Sequence, residues 1–140
     1  MKGARAAVAP DTSVIIAAFA SWHEHHTAAH EALESGAALI AHCAFETYSV
    51  LTRLPAPHRV AADVAALFLR LRFAGEPLVL ARQEQGLLVT KMAEAGVSGG
   101  AVYDALVGTT AATHGATLLT LDRRAEPTYA RVGAAFRRLA

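Results

Sequence analysis

Gly99-Gly100-Ala101-Val102-Tyr103-Asp104 opens the stretch that decides the fold, and Leu118-Leu119-Thr120-Leu121-Asp122-Arg123-Arg124 closes it. Between them run small residues suited to a helix, ended by Gly115. A helix followed by a short apolar strand, with an acid at the strand's C-terminal end, is half of a β-α-β unit. Asp104 falls in the first turn of that helix, and Asp122 stands where the strand stops. In open parallel sheets, ligands collect outside the carboxyl ends of the strands. The reading of the chain therefore turns on whether other acids reach the same edge.

Composition sets the bounds. The 140 residues suit one domain spanning 1–140, with 54% hydrophobic and 18% charged residues, which is globular and not disordered. A net charge of +1 announces no nucleic-acid binder but repels none strongly. Most of the positive charge is arginine, the better residue for forked phosphate contacts. Cys43 is the one cysteine, so no internal disulfide forms, and a reducing cytoplasm fits. Lys2 and Arg5 flank an Ala/Val run that meets Pro10 and Asp11 too soon for a signal peptide. No apolar stretch approaches the ~18 residues of a membrane span.

Taken in order, Ala6–Ala9 reads as a buried strand ended by Pro10, with a helix over Val14–Phe19 behind Asp11-Thr12-Ser13. A second helix runs to Glu34 and closes at Gly36. It begins in the cluster His23, Glu24, His25, His26 and His30. His26 and His30 share a face at i, i+4, but the spacing is not that of a zinc motif, and a solvated face is expected. Ala37–Ala41 reads as a second strand and Ala44–Leu54 as a helix, with Ala44, Tyr48 and Leu51 facing inward. Val60, Val64, Leu67 and Leu71 mark the next inward face, widened by Phe68. Leu78–Leu80 is a third strand, Gln83–Ala95 an amphipathic helix, and Leu118–Leu121 the strand of the deciding stretch. A short helix follows around Pro127–Ala130, and Ala134–Ala140 could add an edge strand. Alternating strands and helices predict an α/β fold with a parallel sheet covered on both faces.

Taken singly, Asp11 is an ordinary helix cap and Glu46 an ordinary first-turn glutamate. On a parallel sheet they cease to be independent. Asp11 follows strand one, Glu46 opens the helix after strand two, Asp104 opens the helix before the last core strand, and Asp122 ends that strand. Four carboxylates in one pocket need a compensating charge. Oxygen ligands without cysteine or histidine suit Mg²⁺ or Mn²⁺, ions that polarise a phosphoryl oxygen and activate water.

The segments Val8–Val14, Glu46 in a post-strand helix, Tyr103-Asp104-Ala105-Leu106 and Leu119–Arg123 resemble the PIN-domain ribonucleases, and most of all the VapC toxins of bacterial toxin–antitoxin pairs. The resemblance covers essentially the whole chain. It implies a three-layer α/β/α sandwich with a short, mostly parallel sheet of four or five strands. It also implies a metal-dependent endoribonuclease that cleaves RNA and leaves a 5′ phosphate. Asp11, Glu46, Asp104 and Asp122 would be the acidic quartet, with Asp11, Asp104 and Asp122 holding Mg²⁺ or Mn²⁺ and Glu46 accepting a proton from water. Ser13 or Thr12 would support the first acid, and Thr120 would orient the last. A homodimer and silencing by a VapB-like antitoxin follow from the same resemblance. Pro10 replaces the usual aliphatic residue before the first acid, which touches the last ladder bond of strand one. Arg123 and Arg124 stand where some relatives carry a further acid, so one ion is expected, and the two arginines are either RNA contacts or solvated.

The competing class is a flavodoxin-like binding or signalling module without nuclease activity. A phospho-receiver needs adjacent acids after strand one and a lysine after the last strand. Asp11 has no acidic neighbour, and Lys2 and Lys91 are misplaced. Gly96–Gly100 lacks the lysine of a phosphate loop.

Overall fold

The structure is a computed structural model describing residues 7–140. Lys2, Arg5 and Ala6, the first residue of the expected opening strand, lie outside the described residues. Three parallel strands form the sheet: β1 (Val8–Pro10), β2 (Thr117–Thr120) and β3 (Phe136–Arg138), in the order β1-β2-β3. Among the described residues seven helices surround it: α1 (Thr12–Phe19), α2 (His26–Leu33), α3 (Ala41–Thr52), α4 (Ala62–Arg72), α5 (Arg82–Glu94), α6 (Ala101–Thr113) and α7 (Glu126–Arg131). The expected α/β architecture and the edge strand in the tail are present.

The strands expected at Ala37–Ala41 and Leu78–Leu80 shrink to a single parallel bridge, Ile40 to Leu78. The first still runs alongside β1, the Ala38 N–H donating to the Val8 carbonyl at 2.9 Å, and the second alongside the first, the Leu78 N–H donating to the Leu39 carbonyl at 2.7 Å. Pro10 supplies a reason for the thin ladder. Backbone groups of successive residues face opposite neighbours, so Pro10, two after Val8, faces the same 37–41 segment without an N–H to give. The ladder toward β2 is intact, because the next donor on that side is Asp11, whose N–H reaches the Leu119 carbonyl at 2.9 Å. The absent proline donor therefore costs nothing where the acid stands.

The core gathers on both faces of β1 and β2, around Ile15, Leu33, Ile40, Leu118, Leu119 and Tyr129. A smaller cluster of Leu80, Leu88, Met92, Val97 and Ala105 seats α5 against α6. Two expected faces are corrected. On α3 the inward stripe is Cys43, Thr47 and Leu51, while Tyr48 is 39% exposed. On α4 it is Ala65 and Leu69, continued by Phe73, while Val64, Leu67 and Leu71 face solvent.

Gly108 sits where α6 crosses α7. A Cβ built there would lie 2.7 Å from Val132 Cγ2 and 3.3 Å from Tyr129 Cδ1. Gly108→Ala is expected to lower stability by about 1–3 kcal/mol through overpacking, despite alanine's better helix propensity, as read by urea denaturation.

Candidate active site

Asp11 begins the site. Its backbone leaves β1 extended, and its side chain caps α1 by accepting the Val14 N–H at 3.3 Å. The capping role and a functional role are thus the same placement. Three hydroxyls complete its surroundings. Ser13 Oγ donates to Oδ1, Thr120 Oγ1 donates to Oδ2 at 2.6 Å, and Tyr129 Oη donates to Oδ2 at 2.7 Å. A carboxylate offers about four acceptor positions, and four donors fill them. Asp11 is only 4% exposed. Burial pushes its pKa up, and the Ser13, Thr120, Tyr129 and Val14 hydrogen bonds pull it back.

The supporting residues link the quartet in ways the sequence left open. Ser13 Oγ also accepts the Leu121 N–H at 2.9 Å, and Thr120 Oγ1 accepts the Asp122 N–H at 3.0 Å. Thr120 therefore ties the first acid to the last. Thr12 is corrected: it supports Glu46, donating Oγ1 to Oε1 at 2.8 Å, and not Asp11. Asp122 caps the 3-10 turn Arg123–Ala125 by accepting the Arg124 N–H at 3.0 Å.

Asp11, Glu46, Asp104 and Asp122 line one cavity of about 370 Å³, together with Thr12, Ser13, Cys43, Arg124 and Tyr129. Asp104, in the first turn of α6, is pushed up to about 6. Burial is the largest cause, followed by the charges of Asp122, Glu46 and Asp11, with Arg124 opposing. Cys43 is fully buried beside the acids, and its thiol is pushed far up, so it is an inert wall. Arg124 stands with Nε 3.7 Å from Asp122 Oδ1 and its side chain 95% exposed, a weak surface pair. Arg123 lies on the same rim, bordering an adjoining cavity with His25, Asp122 and Arg138. Among the described residues, no three acidic, histidine or cysteine side chains are drawn together into a ready ligand cage. The donor set nonetheless fits a hard divalent cation: all oxygen, an excess of negative charge, and Asp104 raised by burial and then by that excess.

Two residues of the site had no signal in the sequence. Tyr129 reaches Asp11 across 118 positions, from a short helix that reads only as a closing element. His42 lies four residues before Glu46, with Nε2 3.7 Å from Oε2. The His23–His30 cluster stays outside the acidic cavity. His26 Nδ1 pairs with the Ala17 carbonyl at 2.8 Å, and the His26 and His30 rings lie 5.7 Å apart on α2.

The PIN domain family profile matches residues 8–132. Ribonuclease VapC40 of Mycobacterium tuberculosis is 53% identical over 125 residues, covering 89% of this chain and 93% of the relative. Ribonuclease VapC27 of the same organism is 45% identical over 131 residues, covering 90% and 92%. The flavodoxin-like alternative has no counterpart in these matches.

Tyr129→Phe is expected to cost about 1–3 kcal/mol, because it removes a donor from a buried carboxylate while keeping the ring. Equilibrium denaturation checks it. Asp104 gives a pH signature. It binds its proton more tightly folded, at about 6, than at its ordinary 3.8. Its contribution is therefore fully present below about pH 4 and lost as pH rises through about 6. With chelator present, the parent should lose about 1 kcal/mol relative to Asp104→Asn across that window, a figure discounted for solvent screening. Parallel urea melts from pH 4 to 7 measure the difference.

Proposed function

This chain belongs to the PIN-domain family, and from that premise we propose that it is a Mg²⁺- or Mn²⁺-dependent endoribonuclease toxin of the VapC type. The observation that carries the reading is the convergence of Asp11, Glu46, Asp104 and Asp122 on one cavity, with Asp104 raised by burial and by its neighbours' charges. Asp104 and Asp122 would hold the ion with free oxygens, and Asp11, whose acceptor positions are taken by four protein donors, would hold it by its fixed charge. When bound, it neutralises the pocket and polarises the phosphodiester and its attacking water.

The chain's own groups supply the rest. Asp11 cannot swing, because four donors hold it, so it contributes a fixed charge at the base of the cavity. Asp104 feels burial and neighbouring charge with no hydrogen bond among the described residues to offset them, which leaves its oxygens available. Glu46 is held at Oε1 by Thr12, and its remaining acceptor positions take the proton of the attacking water. Arg123 and Arg124, on the rim, meet the RNA phosphates, arginine being suited to forked contacts. The same reading carries a cytoplasmic location, a homodimer, and a VapB-like antitoxin that silences the nuclease. It carries no membrane partner, and no helix among the described residues is long and apolar enough to cross a membrane.

Asp104→Asn is expected to remove cleavage of single-stranded RNA by 100-fold or more, roughly the scale of a lost electrostatic group. The variant should stay folded and be more stable than the parent in chelator. Mg²⁺ should raise the parent's melting temperature and leave Asp104→Asn nearly unmoved. Retained cleavage in the variant, or an equal shift in both proteins, overturns the assignment.

A further inference from the structure

We infer that His42 is a positioning residue for the Glu46 carboxylate, held in place by Tyr103. The inference rests on the nuclease reading above and names a part of that site not yet given a role. His42 and Glu46 lie at i and i+4 on α3, so both side chains share one face of the helix. His42 Nε2 stands 3.7 Å from Glu46 Oε2. That nitrogen is buried and has no hydrogen-bond partner among the described residues. Buried ring nitrogens ordinarily find a partner, and an orphan beside a reactive carboxylate marks a group in use.

The ring itself is constrained. It lies parallel to Tyr103, with 2° between the planes and 5.4 Å between centroids. Tyr103 immediately precedes Asp104 in the first turn of α6. The stacked pair therefore links the helix that carries Glu46 to the helix that carries Asp104, at the level of the acids.

Glu46 is approached from two sides. Thr12 Oγ1 binds Oε1 at 2.8 Å, and the His42 ring faces Oε2. A carboxylate gripped at one oxygen by a hydroxyl and at the other by an imidazole N–H has its plane fixed. Each oxygen keeps a second acceptor position for the cavity. The 3.7 Å gap is longer than a made hydrogen bond, and a small rotation of either side chain closes it. Such contacts commonly tighten when substrate binds. The geometry calls for the tautomer with its proton on Nε2, donating to Glu46.

Two substitutions separate this role from packing. His42→Phe keeps a flat ring against Tyr103 but has no N–H. His42→Gln restores an N–H donor without the ring. The expected result is that His42→Phe melts like the parent yet lowers kcat about 10–100-fold, the scale of lost orienting contacts, with KM little changed. His42→Gln should recover part of the loss. Independently, ¹⁵N spectra of the parent should show the Nε2–H tautomer at His42, and Glu46→Gln should shift those signals. The inference is overturned if His42→Phe is as active as the parent, or if both variants lose activity together with stability. It is also overturned if the His42 signals ignore Glu46→Gln. If the parent cleaves no RNA with either metal, the nuclease reading fails, and the spectra alone decide whether His42 holds Glu46.

Discussion

Burying the Asp11 carboxylate is the demand to which the rest of this molecule answers. An ionised carboxylate out of water is tolerable only when donors replace its hydration. Here they come from α1, through Ser13 and the Val14 N–H, from β2 through Thr120, and from α7 through Tyr129. Asp11 and α1 lie more than a hundred residues before the Thr120 and Tyr129 that meet them. Satisfying one side chain therefore requires that the N-terminal strand, the last core strand and the closing helix be docked together. Assembling the sheet and assembling the site are one event.

From that base the acids are graded by exposure. Asp11 is saturated with donors and fixed. Asp104 is half-buried and raised by the charges around it, with Arg124 as its one opposing cation of note. Glu46 and Asp122 sit further out, each tethered through one oxygen, to Thr12 Oγ1 and to the Arg124 N–H. Rigidity is greatest at the floor, in Asp11, and lone pairs are freest in Asp104, which makes no hydrogen bond among the described residues. A site built this way separates two tasks that a single carboxylate performs poorly at once: anchoring the fold, and offering oxygens to a ligand. The arginines remain on the rim, close enough to meet an anion and too exposed to neutralise the floor.

The alternation of apolar runs and helices made the parallel sheet and the four acids legible, because both follow from local pattern: strand, acid, helix start. Asp11 and Asp122 were readable for this reason. What escaped depended on partners far along the chain. Nothing near Tyr129 says that its hydroxyl ends on Asp11. Thr12 and Ser13 are adjacent and chemically alike, yet the first turn of α1 points one at Glu46 and the other at Asp11. The apolar spacing of α4 suggested the wrong face because Val64, Leu67 and Leu71 form as regular a stripe as Ala65, Leu69 and Phe73. Periodicity alone does not say which stripe the sheet will accept. The 37–41 and 78–80 runs read as strands, but Pro10 and the early start of α3 at Ala41 leave them one bridge.

Pro10 shows how tightly these constraints interlock. A proline at the end of a central strand ordinarily argues against the strand. Here its missing donor falls toward the 37–41 segment, while the neighbouring Asp11 N–H completes the ladder to Leu119. The main chain of Asp11 thus finishes the sheet as its side chain begins the site. Shifting the acid by one residue would turn its carboxylate away from Thr120 and Tyr129 and lose the ladder bond as well, because successive residues face opposite ways. The position of the first acid is set by the pleat of β1 as much as by chemistry, and the last acid is placed by β2, the strand paired with it.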